Sequence, residues 1–198
     1  MKHCILACVL AVTILLAGCF SPVSSVPHTL CLLDTVPTHL ARRHTQPVAL
    51  LVMQPDTVPL YDTTQIIYTD RAHEIGYFSR YVWAETPSKM LLPLIVQTLQ
   101  ATHYFSSIAT APSISQFNYV LKVQIQKLQQ NLIARHPMVE LAIEAQLYSL
   151  AEDRIVAAKS WHITQPMRAV TPENGVIAFN QATSHWLTEL ASFVTTSV

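Results

Sequence analysis

Apolar and polar residues alternate from Tyr119 to Gln126 (YVLKVQIQ) and again from Val139 to Leu147 (VELAIEAQL), with the apolar members at odd positions. A period of two places successive side chains on opposite faces, so each run predicts a strand with one face buried and one wet. Ile155 to Ile163 repeats the pattern, with Ile155, Ala157, Trp161 and Ile163 on one side and Lys159 breaking it. Asn131 to Pro137 connects the first two runs. Shorter apolar runs predict further strands at Leu30–Leu33, at Val48–Met53 between Pro47 and Pro55, at Gln65–Thr69, and at Ile75–Val82 as the hairpin partner of Gln65–Thr69. Thr35–Pro47 and Asp56–Asp62 read as connections.

Two segments switch to helical spacing. Thr86 followed by Pro87 matches an N-cap with proline at the first helical position, and Met90, Leu91, Leu94, Ile95, Thr98 and Leu99 then recur on one face. This helix should stop near His103, and Pro93 should bend it or delay its start. Thr171-Pro172-Glu173 repeats the start signal ahead of Ile177, Ala178, Ala182, Trp186, Leu187, Leu190 and Phe193. The order of strands, helix, strands, helix predicts an α+β fold: a single mostly antiparallel sheet with two helices packed on one face.

The N-terminus departs from this pattern. Met1-Lys2-His3 precedes an apolar stretch from Cys4 to Ala17, interrupted only by Thr13. That length suits a secretory leader and falls short of the ~20 residues a membrane span needs. Leu16-Ala17-Gly18-Cys19 resembles the lipobox of bacterial lipoproteins. The resemblance implies lipid attachment at Cys19 and removal of residues 1–18. Flank and length fit a cleaved leader better than an uncleaved anchor. Phe20 and Ser21 stand where an Asp would favour inner-membrane retention, which implies the periplasmic face of the outer membrane. Residues 19–27 then form a tether, and residues 28–198 a single domain.

Composition narrows the function classes. The chain carries 12 Lys+Arg against 12 Asp+Glu, with no basic cluster, so a nucleic-acid partner is not expected. Only 3 Gly are present, too few for a glycine-rich phosphate loop. With Cys4, Cys8 and Cys19 accounted for by leader and lipid, Cys31 remains as a core thiol without a disulfide partner. The histidines show no zincin spacing, no nucleophile elbow surrounds a serine, and Glu152-Asp153-Arg154 reads as a solvated turn. Neither an enzyme nor a cofactor is expected, and no metal site.

The block Pro55 to Tyr68 (PDTVPLYDTTQIIY), followed by Arg80-Tyr81-Val82-Trp83-Ala84-Glu85-Thr86-Pro87 and a Leu/Ile helix, resembles the ABC-type transport auxiliary lipoproteins. These belong with MCE-domain proteins in lipid transport across the Gram-negative envelope. The resemblance runs from the leader through Glu85 and more loosely to the C-terminal helix. Thr69-Asp70-Arg71 and the scarcity of late-strand glycines depart from the family pattern. The resemblance implies a non-catalytic component docking an MCE-domain protein, and it allows a homo-oligomer. Arg80, Trp83 and Glu85 are the candidate partner-binding or structural motif. Trp83 is expected to staple the helix start onto the sheet, and Arg80 to pair locally with Glu85. Other classes are a lipid-binding shuttle, which needs a lined cavity, and an assembly lipoprotein for an outer-membrane protein.

Overall fold

A computed structural model describes residues 27–198, so the leader and the proposed anchor at Cys19 lie outside the described residues. Nine strands form one sheet: β1 (Thr29–Cys31), β2 (Gln46–Val52), β3 (Asp56–Thr57), β4 (Gln65–Thr69), β5 (Gly76–Trp83), β6 (Phe105–Thr110), β7 (Tyr119–Asn131), β8 (Met138–Ser149) and β9 (Arg154–Pro166). Helix α1 (Pro87–Ala101) lies between β5 and β6, and α2 (Pro172–Thr196) closes the domain. A 3-10 turn, Pro59–Tyr61, occupies the connection after β3.

β7 organises the sheet. Along one edge it pairs antiparallel with β8, which pairs antiparallel with β9. Three short strands share its other edge in succession. β2 meets Tyr119–Leu121, β3 meets Gln124–Ile125, and β4 meets Gln130–Asn131, all parallel. Beyond β7 the sheet forks. One branch is β2–β6, and the other is β4–β5–β1. Five of the eight strand pairings are parallel, so the sheet is mixed and not mostly antiparallel as the sequence suggests. The reason is that alternation reports burial of one face and carries no information on the direction of a neighbour. β2 reaches its parallel partner β6 only after β4, β5 and α1 have been traversed.

The apolar face behaves as the alternation requires in β8, where Val139, Leu141, Ile143, Ala145 and Leu147 are all buried. In β7 the buried positions are odd up to Ile125. A bulge between Ile125 and Lys127 then reverses the phase, so Leu128 and Gln130 face the core. α2 packs on β8 and β9, and α1 packs on α2 and β6. Lys159, the exception in β9, lies 4.9 Å over the Trp161 ring and pairs with Glu189 of α2 at 3.1 Å. Its ammonium group faces the ring and is compensated by the Glu189 carboxylate.

Helix boundaries follow local chemistry. Thr171 Oγ1 accepts from the Asn174 N–H, so α2 carries the side-chain cap its sequence suggests. Thr86 occupies the N-cap position of α1 without such a bond, and Pro87 supplies the start instead. Pro93 sits inside α1 on its exposed side, where the Lys89 carbonyl it cannot serve faces water. α1 ends where His103 takes a φ of 55°, in the left-handed region.

Candidate functional site

Trp83 ends β5 in register with Cys31, and its N–H donates to the Thr64 carbonyl at 2.7 Å. It is buried, and its ring meets Phe179 of α2 edge-on at 5.5 Å. This contact joins the β4–β5–β1 branch to the long helix, and it contributes by burial and by aromatic geometry. Arg80 and Glu85 do not join it. Glu85, at the start of α1, pairs with Lys89 at 3.0 Å, one helical turn on. Among the described residues no ion pair includes Arg80, which is exposed on β5. The pairing of Arg80 with Glu85 is therefore replaced by Glu85 with Lys89, because β5 remains a strand through Trp83 and helix spacing begins only at Pro87.

Cys31 is buried beside this point. Burial, with the Glu173 charge adding to it, holds its thiol above the ordinary range, which favours the protonated form. Glu152 pairs with Arg154, and Tyr148 donates to Asp153, in the tight turn between β8 and β9. These carboxylates brace a turn.

The organised polar chemistry lies elsewhere, on the face of β7 and β8 opposite the helices. Glu140 accepts from Asn131 Nδ2 at 2.8 Å, Gln129 Nε2 at 3.1 Å and Lys127 Nζ at 3.3 Å. Gln129 Oε1 in turn accepts from the buried Tyr61 hydroxyl at 2.7 Å. Beside it, Glu144 accepts from Gln126 at 3.0 Å and Gln146 at 2.7 Å. Two adjoining hollows open here and share Asp56, Lys122 and Val123. One of about 140 Å³ runs to Glu144 and Gln146, and one of about 340 Å³ runs to Met53 and Ala111. Fixed donors and acceptors on one face suit recognition of another polar surface. Sequence spacing does not reveal this lattice, because residues 61, 127, 129, 131 and 140 meet only through strand register.

Burial pushes the Glu140 carboxyl up, but hydrogen bonds from Asn131, Lys127 and Gln129, with the Lys127 charge, outweigh it and hold the group below its ordinary range. A lowered folded value adds stability that is present above the unfolded value and is lost as pH falls through the folded one. Glu140→Gln is expected to cost ~1–2 kcal/mol at pH 7, where charge-assisted hydrogen bonds are lost. Well below the ordinary carboxylate range of ~4 the cost should fade. Urea titrations of both proteins at pH 7 and pH 3 test this, and an equal difference at both would refute it.

A family model for the ABC-type transport auxiliary lipoprotein component matches residues 32–191. The fold resembles a crystal structure of a Xanthomonas campestris protein assigned to the DUF330 family. The TM-score is 0.71 at 18% identity, covering 86% of this chain and 95% of that one. It also resembles a hypothetical protein from Chlamydia trachomatis, with a TM-score of 0.52 at 6% identity over 75% of this chain and 98% of that one. A comparison with curated proteins gave no match.

Proposed function

This chain belongs to the family of ABC-type transport auxiliary lipoproteins, and on that premise we propose that it is a non-catalytic component of an MCE-domain/ABC-type lipid transport system. In this reading Cys19 carries the lipid, the body sits on the periplasmic face of the outer membrane, and an MCE-domain protein docks against it. The family match over residues 32–191 carries the reading. The lipobox-like Leu16-Ala17-Gly18-Cys19 agrees with it.

The polar face of β7 and β8 is the surface we assign to the partner. Glu140 and Glu144 are held in place by their neighbours, so little side-chain freedom is lost on docking. The smaller hollow there is bordered by Asp56, Lys122, Gln124 and Glu144, a lining that suits a protein surface better than an acyl chain.

Tagged full-length lipoprotein, captured from native membranes, should bring down an MCE-domain protein identified by mass spectrometry. Lys122→Glu combined with Glu144→Arg should weaken that capture by about tenfold or more, equivalent to ~1.4 kcal/mol. Capture of one phospholipid per chain with no MCE-domain protein would point instead to a lipid shuttle.

A further inference from the structure

The two helices cover one face of the sheet; on the opposite face Ile67 and Thr69 of β4 are buried, and the β4–β5–β1 branch is open only at its β1 end. The character of that end differs from the polar lattice on β7 and β8. Leu30 and Leu32 are 67% and 51% exposed, while Cys31 and Leu33 between and beyond them point into the core. This alternation puts Leu30 and Leu32 on the outward side. Leu30 pairs in register with Val82, which is half-buried. On β5, Tyr81 and Trp83 turn toward α2, where Tyr81 donates to Glu173 and Trp83 meets Phe179. Val82 therefore shares the outward face with Leu30, and Arg80 is exposed two residues before it, where the β4–β5 register shifts. Phe78 lies on the core side instead, its ring 4.6 Å from that of Tyr68, which pairs with the core-facing Gln130. The result is a small apolar strip of Leu30, Leu32 and Val82, with the exposed Arg80 beside it.

We infer that this strip rests on the bilayer that holds the chain, with Leu30 and Leu32 in the acyl–headgroup boundary and Arg80 reaching a lipid phosphate. The inference rests on the reading of Cys19 as the lipid-bearing residue. Where the described chain begins supplies the argument for this occupant. Pro27 stands three residues before Leu30, and the eight residue-to-residue steps from Cys19 to Pro27 span at most ~28 Å even when fully extended. The body cannot move far from the membrane, and β1 is the part of the fold nearest the anchor along the chain. Leucines with a snorkelling arginine have the makeup of an interfacial contact, in which apolar side chains enter the boundary and the guanidinium stays at phosphate level. Arg80 thus gains a role that its lack of a protein partner leaves open, and a phosphate oxygen pair suits its planar fork.

The test uses the full lipoprotein carrying Leu32→Trp, reconstituted into vesicles of phosphatidylethanolamine and phosphatidylglycerol with or without brominated acyl chains. Thr164→Trp, on the outward face of β9, serves as the control. Mass spectrometry of the Cys19 peptide and flotation with the vesicles establish the anchor independently. The added emission at position 32 should fall by at least about half with brominated chains, and that at position 164 should not change. Arg80→Glu should at least halve the quenching at position 32.

Floating protein with lipid on Cys19, whose position 32 is quenched by aqueous iodide and untouched by brominated chains, overturns the inference. Protection of position 32 from both quenchers also overturns it, and assigns the strip to a protein or a second copy. A bare Cys19 in protein that fails to float defeats the anchor reading, and with it the tether argument.

Discussion

Trp83→Ala is expected to remove ~3–5 kcal/mol of stability, the range measured for emptying a buried large aromatic site. The side chain is only 2% exposed, and the opposing Phe179 ring would lose its edge-on neighbour at 5.5 Å. The neighbourhood offers little relaxation. Trp83 is fixed through its backbone to Thr64, and the next residue, Ala84, donates to the Cys31 carbonyl at 2.8 Å. Domains of this size have only ~5–15 kcal/mol in total, so the loss would be a large fraction. At ~2–4 °C per kcal/mol, the midpoint of thermal unfolding should fall by roughly 6–20 °C. Circular dichroism melting of the body without its leader would measure it. Trp83→Phe should lose less, because it keeps a ring against Phe179. A change below about 1 kcal/mol for the alanine would show that Trp83 does not join branch to helix.

The other large effect concerns location. Chains produced with Cys19→Ser, behind a leader that an ordinary signal peptidase removes, should leave the membrane fraction almost completely. Each buried methylene contributes ~0.8 kcal/mol, so several acyl chains on one sulfur hold firmly where a single chain binds only marginally. No helix among the described residues is long and apolar enough to cross a membrane. The strip of Leu30, Leu32 and Val82 is too small to replace the lost chains. Melting curves of the released protein should match those of the detergent-extracted wild type, because residue 19 precedes the first strand. Continued sedimentation with membranes after an alkaline wash would argue against lipid attachment at that sulfur.

Legibility in the sequence followed the physical origin of each feature. β8 could be read residue by residue, because every odd position from Val139 to Leu147 is buried. β7 could be read only to Gln126, since the bulge after Ile125 reverses the alternation and leaves Gln130 buried where a polar residue suggests solvent. β6, Phe-Ser-Ser-Ile-Ala-Thr, escaped notice because it is an edge strand with mixed burial and no periodic signature. α2 announced itself through Thr171 and Pro172, and its cap is present as written. The inward turn of Trp83 agrees with its place before a helix. The partner of Glu85 was legible in its i, i+4 spacing to Lys89, although Arg80 in the same motif drew the expectation away. The Glu140 lattice could not be anticipated, since its members come from β7, β8 and the turn at Tyr61 and are joined only by register.

The fork also sets the order in which the chain can complete itself. Before β7 exists, β2–β6 and β4–β5–β1 share no ladder, and β3 has nothing to pair with. Residues 29–110 precede β7 in the chain, so both groups keep open edges until the strand that unites them is in place. By contrast, β7, β8 and β9 follow one another as a local meander and need no earlier segment to pair. Order along the chain therefore runs against order of assembly, because the keystone strand follows both of the groups it joins.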